Sequence, residues 1–219
     1  MMDWASWLPR LWQATYVTLY MVAVSALFTI VLGLPLGVLL VNTDVQGLTP
    51  RPLLNKVLGV IVNIGRSLPF IILLVVIIPF TRAIVGTIIG PTAAIVPLTI
   101  AAVPFFARVV ETAIREVDRG LVEAAKAMGA THLEIVTKVL VPEALPSILS
   151  GIALTIISLI SYSAMAGAIG AGGLGDIAIR YGYQRREDTV MLVTVVLLIV
   201  IVQGIQALGN WLAAKVNRR

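Results

Sequence analysis

Glu123-Ala124-Ala125-Lys126-Ala127-Met128-Gly129, followed ten residues later by Val139-Leu140-Val141-Pro142, is a polar, helix-forming island between two strongly apolar segments. That contrast decides the fold class. With 59% hydrophobic residues, a mean hydropathy of +1.01 and 12% charged residues, the chain departs from soluble domains, in which about 25% of residues are charged. Its solvent is lipid. In hydrocarbon every backbone N–H and C=O must be satisfied internally, so only helices or closed barrels span, and the apolar runs here are continuous rather than alternating. An all-α, polytopic membrane bundle follows, and the polar island is left free to engage something in water.

Charge and residue usage exclude several functions. The net charge of +5 comes from basic residues scattered between apolar segments, with no dense tract or aromatic-basic platform to hold nucleic acid. Zero cysteines exclude disulfides and thiolate metal sites, and the single histidine, His132, has no second histidine to form a ligand pair. No metal site is expected.

Five segments are long enough to cross, at about 20 apolar residues and 1.5 Å rise each: approximately Ala14–Val41, Val57–Phe80, Val85–Phe106, Ile148–Leu174 and Val190–Ala214. The first is too long in its apolar part, and lacks the basic leader, to be a cleaved signal sequence. One set of flanks carries Arg51, Lys56, Arg108, Arg115, Arg119, Lys126, Lys138, Lys215, Arg218 and Arg219, the other Arg10, Arg82, Arg180, Arg185 and Arg186. This asymmetry predicts a single transmembrane domain over 1–219 with the N-terminus outside and the C-terminus in the cytoplasm. The island between spans three and four, at about 118–142, is then cytoplasmic.

Within the island, Asp118 is an N-cap for a short helix to about Met128, and Gly129 suits the left-handed position that closes it. Thr131-His132-Leu133-Glu134 matches a capping box that restarts a helix, expected to stop before Pro142. Leu121, Ala124, Ala125 and Met128 recur at helical spacing, giving a narrow apolar stripe with small residues at its centre. Such a stripe fits a groove. An interfacial helix on the headgroups is the alternative, but the stripe is short, lacks aromatics and is flanked by both signs of charge.

Glu123-Ala124-Ala125, Gly129 four positions after Ala125, and Pro142 thirteen after Gly129 resemble the EAA loop of ABC importer permeases, with Val139 and Val141 where isoleucine and leucine are usual. Asn63 to Ile71, with Arg66-Ser67-Leu68-Pro69 at its centre, resembles the amino-acid importer permeases. That stretch through Gly86, with Tyr162-Ser163-Ala164-Met165 and Gly170 to Gly175, is similar to the methionine importer permeases, small five-helix members of the type I importers. The resemblance implies a coupling helix in which Glu123 pairs with a basic residue of a cytoplasmic ATPase while Ala124, Ala125 and Gly129 allow close approach. It also implies a homodimer of permeases in the bacterial inner membrane, two ATPases carrying ATP and Mg, and an extracytoplasmic lipoprotein that delivers methionine. No cofactor is expected in this chain itself, and no catalytic residue.

Other features carry paired readings. Gly170, Gly172 and Gly175 fit G-x-G-x-x-G, but no βαβ unit surrounds them, so a tightly packed helix end is expected rather than a dinucleotide turn. Gly33/Gly37 and Gly86/Gly90 form G-x-x-x-G pairs, suited to intrachain helix packing or to dimerisation. Arg66, inside span two with no acidic residue in any span to pair with it, is read as a snorkelling side chain before a gating one. Tyr162, Ser163 and Met165 supply a weakly polar, adaptable surface suited to a thioether amino acid, and are assigned to the substrate pathway. A channel or secondary transporter would show intramembrane acids or repeated broken helices, and a membrane enzyme a nucleophile with its base or metal. Neither pattern is seen. The absence of a Walker A sequence places ATP hydrolysis on a partner chain. The expected function is the permease subunit of an ATP-driven importer for methionine; the alternatives are another amino acid or small solute, or transport without ATP.

Overall fold

A computed structural model describes residues 4–217. Met1 to Asp3, Arg218 and Arg219 lie outside them, and with them two of the ten basic residues of the C-terminal side and the ends of the 1–219 domain. Among the described residues the chain is helical throughout, without strands. Its elements are α1 Trp4–Thr43, α2 Pro52–Ser67, α3 Phe70–Val76, α4 Ile78–Val85, α5 Pro91–Arg115, α6 Arg119–Ala127, α7 His132–Glu134, α8 Val141–Ala166, α9 Gly173–Ile177 and α10 Asp188–Val216. Four helical runs are long and apolar enough to cross a membrane, and the α2–α3 pair, bent by 105°, makes a fifth span if counted as one.

Span two is therefore not the continuous helix expected over Val57–Phe80. Pro69 has no N–H to donate and crowds the residue before it, so Leu68 is driven to extended backbone (φ −82°, ψ 124°) and α2 stops at Ser67. Arg66 thus sits in the last turn of a helix, beside the partial negative charge of its C-terminus. It is exposed. Span three is shifted too: Gly86 (φ +80°) ends α4, and Gly90 (φ +96°) precedes Pro91, which opens α5. Gly86 and Gly90 are turn residues rather than a packing pair, and the Gly90 N–H donates to Gly170 O at 3.0 Å.

The helix restarted at Thr131 does not stop before Pro142. A π-helical turn over Ile135–Leu140 carries it into α8, and the wider turn accommodates the proline, whose missing donor lies in the first turn of α8. Span four also ends earlier than Leu174. After α8 the chain makes a wide turn over Gly167–Ala171, with Gly170 at φ +99°, and Leu174 is buried in the separate short helix α9.

The core runs the length of the bundle. At one end Trp7, Leu11 and Ala14 of α1 pack on Leu174, Ile177 and Val190. Midway Met21 and Val22 meet Leu98, Leu159 and Ile160. At the other end Phe106, Val110 and Ile114 of α5 pack on Ala125, Ile135 and Ile148. The island and the start of α1 are consequently at opposite ends. Gly33 and Gly37 allow α1 to lie directly on α5: a Cβ on Gly37 would stand 2.6 Å from Ala107 O and from Val110 Cβ. This G-x-x-x-G pair serves contact within the chain.

Candidate functional site

The island is built from local signals that each find their partner. The Asp118 carboxylate accepts from Gly120 N–H at 2.7 Å and opens α6. At the other end Gly129 adopts φ +79°, its N–H donates to Lys126 O and the Ala130 N–H donates to Ala125 O, both at 3.0 Å. This is a Schellman closure, in which the left-handed residue turns two orphan carbonyls into acceptors. Thr131 and Glu134 then cap each other reciprocally, with Glu134 N–H donating to Thr131 Oγ1 at 3.3 Å and Thr131 N–H donating to Glu134 Oε2 at 3.1 Å. A nine-residue helix is too short to persist on propensity alone; its caps and its packing hold it.

Its two faces differ. Val122 and Ala125 turn inward to the core, and Ala125 is 4% exposed among Val110, Ile135 and Ile148. Leu121, Ala124 and Met128 face outward, Met128 being 82% exposed, with Glu123 and Gly129 also exposed. The stripe expected from spacing is therefore divided: Ala125 is mostly committed to the core and shows only its edge at the cleft that Leu121, Ala124 and Met128 border. Its small size is required by this chain's own packing. Leu121, Ala124 and Met128 border an open cleft of ≈ 720 Å³ whose other wall is Val139, Pro142 and Glu143, with Val216 and Asn217 at its edge. The last described residues of α10 thus share the island's end of the bundle.

Sequence reasoning missed what stands beneath α6. Helix α5 runs nine residues beyond the expected end of span three, and Glu111, 7% exposed, is carried on it. Glu111 lies five residues past the expected end of span three, so no acidic residue enters the span as expected, but the helix that carries the span does hold one. Glu111 accepts from Arg108 Nη1 at 2.5 Å and from Arg115 Nη2 at 2.9 Å, and Arg115 also reaches Asp44 at 2.6 Å in the connection after α1. Arg108 continues to Asn63 Oδ1 of α2 at 3.0 Å. The hydrogen bond from Arg115 holds the Asp44 carboxyl below its ordinary range, against the opposing effect of burial. One charged cluster thereby ties α1, α2 and α5 together three residues before Asp118. The i, i+3, i+4 spacing of Arg108, Glu111 and Arg115 was legible; the partner Asp44, distant in sequence, was not.

The three pathway residues do not form one surface. The Tyr162 ring stacks on Phe70, centroids 4.8 Å apart, and shares a helix face with Met165, which is exposed in the last turn of α8 rather than deep in a span. Ser163 is buried and its hydroxyl donates to Ile160 O at 2.7 Å. Next to them Leu74, Thr81, Gly90, Ala94 and Ala166 line a half-open hollow of ≈ 30 Å³, room for water and not for an amino acid.

Residues 30–219 match the family model of the binding-protein-dependent transport system inner membrane component. The chain belongs to this family. Among relatives of this permease family member, a protein of Vibrio cholerae serotype O1 named "Probable D-methionine transport system permease protein MetI" is 58% identical over 206 residues, covering 94% of this chain and 92% of the relative. The methionine import system permease protein MetP of Bacillus subtilis is 47% identical over 212 residues, covering 97% and 96%. A solved structure of inward-facing conformations of the MetNI methionine ABC transporter superposes over the whole of both chains with a TM-score of 0.96 at 50% identity.

Proposed function

We infer that this chain is the membrane-spanning permease subunit of an ATP-driven methionine importer, and that α6 is the element through which a cytoplasmic ATPase drives it. The family match and the methionine-named relatives support the first part. The observation that carries the second is the division of α6 into an inward face seated in the core and an outward face, Leu121, Ala124 and Met128, that no part of the described chain covers. Glu123, Ala124 and Gly129 contact the ATPase in this reading. Ala125 acts from behind, by letting α6 sit close to α5.

The assembly proposed is a homodimer of permeases with two ATPases that bind ATP and Mg, and a substrate-binding lipoprotein at the opposite face. In this reading the N-terminus is outside and the island and C-terminus are in the cytoplasm, an orientation that the basic asymmetry supports. Closure of the ATPases on ATP moves α6, and α6 transmits the movement because it is fixed at both ends: by Asp118 next to the Asp44–Arg115–Glu111 cluster, and by the continuous helix from Thr131 into α8. Rigid elements so joined move as bodies rather than deform. Cargo then passes along a path that includes Tyr162 and Met165, with Ser163 supporting the helix from inside. Direction follows from the differing stabilities of the inward- and outward-open states in their nucleotide-bound forms.

Proteoliposomes holding the chain with its cognate ATPase and binding protein should accumulate labelled methionine only when ATP is present on the ATPase side. Preferential uptake of a basic amino acid would overturn the substrate assignment, and uptake without ATP would overturn the class. Met128→Asp should reduce ATPase copurification with the bundle intact, since Met128 touches water and not the core. Undiminished copurification would remove α6 from the docking surface.

A further inference from the structure

At the end of the bundle opposite the island, α1 carries a second stripe that the transport reading leaves unused. Trp7, Leu11 and Ala14 face the core, whereas Trp4, Leu8, Trp12 and Tyr16 recur every fourth residue on the outer face, and Trp12 is 78% exposed. A 40-residue helix is about 60 Å long, twice a hydrocarbon core of about 30 Å. Tilts of up to about 40° do not absorb that excess. The first turns of α1 therefore stand at headgroup level, where aromatic rings with one polar edge are favoured.

Arginines lie not on this stripe but on a second pair of rings, at the core-facing side of the same end of α1. The Trp7 and Tyr181 rings meet edge to face at 5.0 Å, Arg10 lies over Trp7 at 5.4 Å and Arg185 over Tyr181 at 4.6 Å. Arg186 follows in a left-handed conformation, φ +56°, that is uncommon for a residue with a side chain. Arg10, Arg185 and Arg186 are exposed, and among the described residues none of them is in an ion pair, unlike Arg180, which is paired with Asp176. Glu187 and Asp188 are close in sequence but stand at the start of α10, where the helix dipole receives them. A guanidinium held over a ring by its charge keeps N–H donors that the ring does not consume, and a phosphate can accept from them.

We propose that Arg10, Arg185 and Arg186, gathered about the Trp7–Tyr181 ring pair, form a binding site for the phosphate of an anionic phospholipid headgroup at the end of the bundle where α1 begins. Charge and depth both select the occupant: three cations without an ion-pair partner among the described residues attract an anion, and the aromatic rings at this end of α1 place that anion at the membrane surface.

The test uses the full chain with Trp211→Phe, which removes emission from the far end of the bundle, in phosphatidylcholine vesicles containing a minor fraction of phosphatidylglycerol. Bromine is carried on the acyl chains of one lipid at a time. Tryptophan quenching gives the relative association constant of the two lipids. Phosphatidylglycerol should be preferred; Arg185→Gln should lower the preference by about fivefold, the effect of one basic residue at an anionic surface. Arg185→Lys should retain most of it, and the combined Arg10→Gln, Arg185→Gln and Arg186→Gln variant should bring it to one. Equal quenching by both lipids in the natural sequence would overturn the proposal, as would a preference that survives the combined change. Removal of the preference by inorganic phosphate would also overturn it, by showing a free-anion site. Absence of quenching by either lipid would mean that protein covers the stripe, and that result too excludes a lipid site.

Discussion

Replacing Gly129 isolates the geometry of the island from its chemistry. Gly129 holds φ +79°, and a Cβ built on it meets nothing within 4 Å, so Gly129→Val introduces no clash and acts through the backbone alone. An L-residue in the left-handed region costs about 1–2 kcal/mol, and a β-branched one is the least tolerant. If the chain relaxes out of that region, the bonds from Gly129 N–H to Lys126 O and from Ala130 N–H to Ala125 O are lost, at about 0.5–1.5 kcal/mol each. Either route disfavours the native turn by about 1–3 kcal/mol, roughly five- to hundredfold in its population relative to open forms. Since α6 is too short to hold itself, the loss should misdirect Leu121, Ala124 and Met128 while the bundle, which contains none of these bonds, stays folded. The assay is affinity for the cognate ATPase in detergent, with ATP-driven uptake in proteoliposomes as the second readout. Gly129→Val should weaken both. Gly129→Asn, which tolerates the left-handed region, should recover most of the affinity. Equal affinity for the natural, Val and Asn forms would refute the claim that this turn aims α6, and an Asn defect as severe as that of Val would show that contact at the glycine surface, rather than its backbone angle, is what matters.

Three further outcomes are expected. Glu111→Ala leaves Arg108 and Arg115 without their shared acceptor at the foot of α5; the arginines are partly exposed and keep Asp44 and Asn63, so the detergent-solubilised protein should lose about 1–2 kcal/mol, the lower part of the range for hydrogen bonds to charged groups, and an unchanged thermal midpoint would deny the cluster its structural role. Gly37→Ala forces a methyl to within 2.6 Å of Ala107 O and Val110 and should cost about 1–3 kcal/mol through overpacking, whereas Gly204→Ala, with open space around it, should leave the same thermal midpoint within error. Cysteines placed singly at Arg185 and Lys126 in this cysteine-free chain should react with an impermeant reagent from outside and from the cytoplasm respectively, and labelling of Lys126→Cys in intact cells would reverse the topology and remove the coupling argument.

Much of the island was legible because its signals are local. Asp118, Gly129, Thr131 and Glu134 each act within a few residues of themselves, and the structure places each bond where spacing predicts it. The bend in span two was half legible: Pro69 stood in view, but the predominantly apolar run from Val57 to Phe80 outweighed it, since hydropathy measures the solvent and not the backbone's ability to continue. At Pro142 the opposite happened. A proline that reads as a stop was absorbed by a π-helical turn, a solution available only when the flanking helix is held by tertiary packing.

Composition and local capping alone determined that this chain is a helical membrane protein and where a short capped helix interrupts its apolar segments, because the lipid acts on every residue independently and a cap acts on its own turn. Which face of that helix is free was decided only in three dimensions. Ala124 and Ala125 are indistinguishable by composition and adjacent in sequence, yet one is exposed and the other lies against Val110 and Ile135. Likewise Gly33 and Gly37 became the seam between α1 and α5 while Gly86 and Gly90 became turns, and Glu111 found Arg115 already bound to Asp44 across 71 positions of chain. Each of these outcomes depends on which distant element arrives at the site, and packing between distant elements is a property of the whole arrangement that no window of sequence contains.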